Sequence, residues 1–361
     1  MKLLDTSNTW TQRAVVFGAA AWGATLAASL GGAFPLALIE QLFLLGPLVV
    51  VPLGLDLAAR HAGRGWPRIL LAFAQRLQPG AAALAVASFY VTEGEGAAWL
   101  CAPWMLVTGL AGLAGLPFLK RIFTNPNVAG FEAGLLYLPV GGIWLLITRM
   151  GYRPLGLEEP IILLTAVHFH FSGFAASVYS ACAGHALEAA DRLRRRIFAP
   201  ANIGVLGGTF LVAIGFLLSP QVKFAAILLY GVSLFTVAIL VSTLVPDIES
   251  RLARMMLLVS SGALCFGTLL AAVYGLGEAQ GALIITVPRM AETHGIINAL
   301  GFVVCGLLGW RAATAADAKP ASTPIARYFS IFTRSHEPHA GLHRSLSLAA
   351  QLEVARTGRR D

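Results

Sequence analysis

Long apolar stretches, separated by short polar or glycine- and proline-containing segments, recur along the chain from Ala14 to Arg311. Each stretch is close to the roughly 20 residues that a helix needs to cross the hydrocarbon core of a bilayer. None shows the alternation of apolar and polar residues that is typical of a transmembrane barrel strand. We therefore predict an all-α, polytopic transmembrane helix bundle of about ten spans, at about residues 14–33, 36–58, 70–90, 97–119, 130–148, 160–183, 202–218, 223–245, 254–275 and 288–310.

The composition is also that of a membrane protein. Hydrophobic residues make up 57% of the 361 residues and charged residues only 12%, about half the charged share of an average soluble domain. The formal charge of +8 at pH 7 raises the question of nucleic-acid binding. The basic residues lie in short loops between spans and near the C-terminus, however, so we interpret them as signals of membrane topology. We predict membrane lipid as a partner and no nucleic acid.

The loops on the two sides of the predicted membrane differ in charge. The loops after spans 2, 4, 6 and 8 share one side and carry most of the basic residues: Arg60, Arg64, Arg68, Arg76, Lys120, Arg121, Arg192, Arg194, Arg195, Arg196, Arg251 and Arg254. The opposite loops hold few basic residues and collect glutamates: Glu93, Glu95, Glu158, Glu159 and Glu278. Positive loops stay in the cytoplasm, so both termini are predicted to be cytoplasmic.

The ends of the chain differ from the spans in composition. We predict a polar cytoplasmic N-terminus at residues 1–13, a transmembrane helical domain at residues 14–311 and a short disordered, polar cytoplasmic tail at residues 312–361. The apolar run after residue 13 also fits a signal peptide. Because further spans follow it at once, we predict that it is the first transmembrane helix.

Two histidines lie deep inside span 6, in the stretch Thr165 to Phe174. A strongly polar side chain at membrane depth costs a few kcal/mol unless it faces the protein interior, so such residues often mark a functional site. Positions two apart on a helix point in directions about 200° apart, so His168 and His170 cannot bind the same small ligand. His168 shares one helix face with Thr165, Ser172 and Tyr179, and we assign it to a pocket. His170 shares its face with small residues, and we assign it to a helix–helix contact.

Spans 10 and 2 carry the polar residues that match His168 in depth. In span 10, His294 and Asn298 lie on one helix face, and Glu292 lies nearer the membrane interface. In span 2, Glu40 and Gln41 precede two prolines that should loosen the helix. At 1.5 Å per residue, the three side chains Glu40, His168 and His294 each lie about 10 Å below the outer boundary, so we predict that they meet in one chamber.

Other polar groups inside the apolar runs have structural interpretations. Asp56 and Arg60 are one helical turn apart near the cytoplasmic end of span 2, so we predict an ion pair between them. Glu132 of span 5 lies near the same side. The four cysteines are scattered one per apolar run with no C-x-x-C pair, which predicts small core residues: Cys101, Cys182, Cys265 and Cys305.

The paired runs from His168 to Phe174 and from Thr293 to Phe302 resemble the YndJ-like family of polytopic bacterial membrane proteins. The resemblance extends over about residues 10–311. It implies a multi-span membrane fold in the bacterial cytoplasmic (inner) membrane. The family is uncharacterised, so the resemblance implies no particular activity. Some relatives are longer at the C-terminus than this chain.

Four functions fit the predicted chamber. The first is an intramembrane enzyme that uses His168, His294 and Glu40 as acid and base on a lipophilic small molecule, such as an isoprenoid or another lipid to be isomerised or cyclised. The second is a proton-coupled transporter that uses the same groups. The third is a haem or metal centre between His168 and His294. The fourth is a structural subunit with interhelical hydrogen bonds only.

For the first of these functions we assign substrate binding to a further set of residues: Asn298, Thr165, Ser172, Tyr179, His170, Gln41 and Glu292. The sequence has no glycine-rich phosphate loop, no H-E-x-x-H and no C-x-x-C-H, so nucleotide-driven or zinc-protease chemistry is not predicted. Our leading interpretation requires no cofactor and no metal. The sequence carries no signal for a protein partner.

Overall fold

The computed structural model describes residues 7–63 and 65–317, and in them the chain is helical, with no strand. Ten of the helices are long and apolar enough to cross a membrane, which confirms the predicted fold class. In chain order, spans 1 to 10 are Thr9–Leu30, Leu38–His61, Trp66–Ser88, Glu95–Thr124, Gly130–Met150, Ile161–Ala186, Arg192–Leu218, Pro220–Asp247, Arg251–Ala279 and Val287–Thr314.

The helices at the two ends of the bundle sequence extend past the predicted outer bounds of 14 and 310. The first helix begins at Ser7 and the last one ends at Asp317, because the polar residues there continue the helices beyond their apolar parts. Residues 318–361, which hold most of the predicted disordered tail, lie outside the described part of the chain.

Side chains that accept hydrogen bonds mark where several spans begin. Asp191, Ser219, Ser250 and Thr286 each accept a hydrogen bond from a main-chain N–H in the first turn of spans 7, 8, 9 and 10. Such caps satisfy donors that the start of a helix leaves unpaired. The hydrogen bond from Arg194 N lowers the pKa of the Asp191 carboxyl below its ordinary value. These boundaries are therefore encoded locally.

Span 2 is the central helix of the bundle. In its apolar window 94% of the residues are buried, against 6% in the window of span 1. It contacts spans 1, 3, 6 and 10. A helix that is apolar on every face is stable in the interior of a bundle, and the residues of span 2 from Leu42 to Leu55 are of this kind.

A buried carboxylate joins three spans at the end of the bundle that we call the inner face, predicted to be cytoplasmic. Asp56 is completely buried, and its Oδ2 lies 2.6 Å from Arg60 Nη2, which confirms the predicted ion pair. The same Oδ2 is 3.1 Å from Arg311 Nε of span 10. Thr11 Oγ1 of span 1 donates to Asp56 Oδ1 at 3.3 Å. Asp56 therefore ties spans 1, 2 and 10 together.

Candidate functional site

Spans 2, 6 and 10 depart from α-helical geometry where they meet. Each contains π-helical turns: Gly46–Val50 in span 2, Phe169–Ala175 in span 6, and Ala291–Gly295 with Ile297–Val304 in span 10. Segments of the three spans contact one another. π-Helical turns are rare and are found frequently at functional sites. These are the three spans that the polar residues had indicated.

His294 is held by the main chain of the neighbouring span 9. Its Nδ1 lies 2.8 Å from the carbonyl oxygen of Gly267. A carbonyl oxygen can only accept a hydrogen bond, so Nδ1 carries the proton and donates it. The other ring nitrogen, Nε2, then has a free lone pair, and no hydrogen bond to it is found in the described part of the chain.

Asn298 lies one turn after His294 on the same helix. Its Nδ2 donates to the carbonyl oxygen of His294 at 2.8 Å and lies 3.2 Å from the Nδ1 of the same residue. Because that Nδ1 already donates to Gly267, the longer contact is not a second hydrogen bond to it. Gly267 leaves the space that the amide fills, since a Cβ at this position would lie 2.3 Å from Asn298 Nδ2. The two residues form a fixed unit.

His168 is held in the same way by its own helix. Its Nδ1 lies 2.6 Å from the carbonyl oxygen of Leu164, so this nitrogen also donates and Nε2 also keeps a lone pair. The His168 side chain is exposed at the surface of the bundle. Within the part of the chain that the structure describes, Nε2 of His168 has no hydrogen-bond partner.

The two imidazoles lie on spans 6 and 10, which contact each other. His168 and His294 lie close enough for a charge on one ring to act on the other. In span 10, Gly295 is packed against Leu42 of span 2, where a Cβ would approach the Leu42 Cδ1 to 2.9 Å. His168, His294 and Asn298 thus lie on two spans that both contact span 2. We call these three residues the histidine pair site.

His170 lies at a helix–helix contact. It is completely buried, and its Nδ1 lies 2.8 Å from the Ala166 carbonyl oxygen. Trp104 Nε1 of span 4 donates to His170 Nε2 at 3.2 Å. A Cβ on Gly141 of span 5 would lie 2.5 Å from the His170 ring, so this glycine permits the close approach. Both ring nitrogens are used within the protein, and His170 is therefore separate from the histidine pair site.

Replacing Trp104 by phenylalanine is expected to lower the free energy of unfolding by about 1–3 kcal/mol, because it leaves His170 Nε2 buried without a donor. Equilibrium unfolding in detergent micelles measures this. The double variant W104F/H170F removes both partners and should lose less than the sum of the two single variants. Additive losses would show that the two rings are not coupled.

The two polar residues of span 2 form their hydrogen bonds with groups other than the two histidines. Glu40 lies in the first turn of the helix, where its Oε2 accepts a hydrogen bond from Ala37 N at 2.7 Å. Partial desolvation and the charge of Glu40 raise the pKa of the nearby Tyr90 phenol in the outer loop. Glu40 is the third residue of this helix and lies only about 3 Å along the axis from its start. Gln41 faces span 1, where its Oε1 accepts from Thr25 Oγ1 at 3.2 Å.

The remaining predicted substrate-binding residues lie at different distances from His168. Thr165 and Ser172 lie within about one turn of His168 on span 6. The Thr165 hydroxyl donates to the Ile161 carbonyl oxygen at 2.8 Å, and the Ser172 carbonyl oxygen accepts from Tyr230 OH at 2.9 Å. Tyr179 lies eleven residues further along, about 16 Å away, and is buried against span 10. Glu292 is exposed and pairs with Arg289 at 2.7 Å.

Sequence reasoning did not find the two groups that orient the imidazoles from other spans. Gly267 acts through its carbonyl oxygen and its missing side chain, and it is one of 38 glycines with nothing in the sequence to distinguish it. In the sequence, Trp104 cannot be distinguished from the other apolar residues of span 4. In the described residues no group of three or more His, Cys, Asp or Glu side chains could hold a metal ion.

Comparison with known proteins gives a family and no structural relative. A family model described as YndJ-like protein matches residues 41–302. The uncharacterized membrane protein YndJ of Bacillus subtilis (strain 168) is 28% identical over 197 residues, which cover 55% of this chain and 34% of that protein. The match therefore spans about a third of the length of that relative. No solved structure matches the chain.

Proposed function

The chain belongs to the YndJ-like family of membrane proteins, and from the geometry of its histidine pair site we propose that it performs acid–base chemistry on a lipophilic molecule in the outer half of the bilayer. The observation that carries the proposal is a pair of imidazoles on two spans that contact each other. Each is fixed through Nδ1 to a main-chain carbonyl and has a free Nε2. We further propose that the membrane is the bacterial inner membrane, with this end of the bundle facing outward.

Two imidazoles that face one substrate can supply an acid and a base. A neutral imidazole accepts a proton at a free Nε2, and an imidazolium donates one from the same atom. His168 and His294 then act as the catalytic residues, one donating a proton while the other accepts one. Asn298 is the positioning residue, because its hydrogen bond to the His294 carbonyl oxygen braces that turn of span 10.

The surroundings of His168 favour a substrate that arrives from the lipid. Its side chain is exposed on the outside of a transmembrane helix, at about the depth of the acyl chains. A water-soluble substrate would have to enter the hydrocarbon region to reach it. A lipophilic molecule, such as an isoprenoid or another lipid undergoing isomerisation or cyclisation, reaches the same position by diffusion within the bilayer.

The same free Nε2 atoms support a second candidate function, a haem or transition-metal centre. A ligating histidine commonly donates its other ring N–H to a main-chain carbonyl, as both rings do in this structure. A Soret band or bound metal in the purified protein would favour this function over the first. Proton flux into proteoliposomes under a proton gradient would instead favour a proton-coupled transporter that uses the pair as a relay.

Substitution of either catalytic histidine by glutamine is expected to reduce the reaction at least about 100-fold, the low end of what general acid–base catalysis contributes. The protein, reconstituted with total lipid extract from a bacterium that carries a YndJ-like protein, is incubated in D₂O. Mass spectrometry then measures deuterium bound to carbon in each lipid class. We expect the unsubstituted protein to label one class and H168Q and H294Q to lose this labelling.

His185→Gln is the matched control, since His185 is exposed at the inner face, where it pairs with Glu188 and lies edge-on to the ring of His61. It should label as the unsubstituted protein does. Unchanged thermal unfolding of H168Q and H294Q would separate a loss of chemistry from a loss of fold. Absence of labelling by the unsubstituted protein, or full labelling by both variants, would refute the proposal.

A further inference from the structure

A second site lies at the opposite end of the bundle from the histidine pair site. A partly open cavity of about 200 Å³ is formed at the inner face by residues of spans 2 to 5. Its walls are mostly apolar, and Arg121 and Glu132 are its two charged residues. The apolar side chains that line it include Ala58, Leu71, Phe131 and Leu135. We call this space the inner cavity.

The ion pair between the two charged residues of the inner cavity leaves one carboxylate oxygen without a hydrogen bond. Arg121 Nε lies 3.0 Å from Glu132 Oε1. The second carboxylate oxygen, Oε2, is buried and has no hydrogen-bond partner in the described residues. Glu132 as a whole is 7% exposed, so water does not readily replace the missing donor. A buried acceptor without a donor is costly, which points to a donor supplied by a ligand.

Arg121 supplies the complementary charge. Its Nε faces Glu132, and its Nη groups have no hydrogen-bond partner in the described part of the chain, so they are available to an anion. Its side chain is 32% exposed, so the guanidinium lies at the boundary between the cavity and the surroundings. A guanidinium with two free Nη groups matches the oxygens of a phosphate group.

The helix that carries Arg121 lies at a membrane interface. Within Phe118–Thr124, Leu119 is 68% and Phe123 is 86% exposed, while Phe118 and Ile122 face a buried cluster. Exposed leucine and phenylalanine beside basic residues are typical of helices that lie among lipid head groups. A molecule in the inner cavity would therefore be in reach of the inner leaflet.

We propose that the inner cavity binds a phospholipid whose head group carries a phosphate and a primary ammonium, of the phosphatidylethanolamine type. The phosphate binds the Nη groups of Arg121, and the ammonium donates a hydrogen bond to Glu132 after a rotation about its soft terminal torsion. The apolar wall formed by Leu71, Phe131 and Leu135 contacts the start of an acyl chain. This site is independent of the histidine pair site.

The first test compares lipids on the unsubstituted protein and needs no variant. Native mass spectrometry measures the binding of phosphatidylethanolamine, phosphatidylcholine and phosphatidylglycerol with identical acyl chains. Phosphatidylcholine has no N–H, so we expect it to bind at least about tenfold more weakly than phosphatidylethanolamine. Equal binding of these two lipids would overturn the proposal. Binding of phosphatidylglycerol as tight as that of phosphatidylethanolamine would also overturn it, because it would indicate a site for phosphate alone.

The second test assigns the two contacts. E132Q keeps an oxygen for Arg121 but replaces the free acceptor by a donor, so it should remove most of the preference for phosphatidylethanolamine over phosphatidylcholine. R121Q should weaken binding of all three lipids by about tenfold. The exposed inner-face residues Glu188 and Arg194 give the matched controls E188Q and R194Q, which should change neither quantity. A preference that survives in E132Q would refute the role of Glu132.

Discussion

Replacing Asp56 by asparagine is expected to lower the free energy of unfolding by about 3 kcal/mol. The completely buried carboxylate is the shared partner of Arg60 and Arg311, and it also accepts from Thr11, so its loss weakens the contacts among spans 1, 2 and 10. Two guanidinium groups would remain without their counter-charge. The expected loss is at the low end for a broken buried pair, because the two arginine side chains keep 24% and 19% exposure.

Reversible unfolding in mixed micelles with increasing denaturing detergent measures this loss. Asp191→Asn is the control, since Asp191 caps span 7 at an exposed position and asparagine caps a helix about as well as aspartate. It should change the unfolding free energy by less than about 0.5 kcal/mol. If D56N unfolds at the same detergent fraction as the unsubstituted protein, Asp56 does not join the three spans energetically.

Replacing Gly18 by alanine is expected to destabilise the bundle by about 2–3 kcal/mol, the upper part of the usual range for overpacking. Gly18 of span 1 faces the π-helical turn of span 2, where a Cβ would lie 1.9 Å from the Leu48 carbonyl oxygen. The obstacle is main chain, so it cannot rotate away as a flexible side chain would. Span 1 has to separate from span 2 to accept the methyl group.

Gly23 offers a control on the same helix. Nothing lies within 4 Å of a Cβ at this position, so G23A should be neutral or stabilise by up to about 1 kcal/mol through helix propensity. The same detergent titration compares both variants. A similar loss in G18A and G23A would mean that the close contact between spans 1 and 2 contributes no stability.

The helical class and the positions of the ten spans follow from the sequence, because the length of an apolar run and the thickness of a bilayer are both local conditions. The face of the helix on which a residue lies is also local. For this reason the separation of His168 from His170, the assignment of His170 to a helix contact and the pairing of Asp56 with Arg60 agree with the structure.

The depth of a side chain in the membrane and its partners on other spans do not follow from nearby residues in the sequence. Glu40 was expected inside the chamber, but the helix begins only two residues before it, so its carboxylate caps that end. Gln41 follows directly and faces span 1. A shift of a few residues in the start of a helix moves a side chain by several ångströms along the membrane normal, which is enough to remove it from a site.

The sequence by itself determined that this is an all-helical membrane protein with polar groups in spans 2, 6 and 10, since those properties depend on residues close together in the chain. Only the tertiary structure decided that the spans carrying His168 and His294 contact each other, that Gly267 holds one of these rings and that Arg121 and Glu132 share a cavity. These relations depend on how closely helices approach and how they are rotated, and those quantities are set by many small contacts between distant residues.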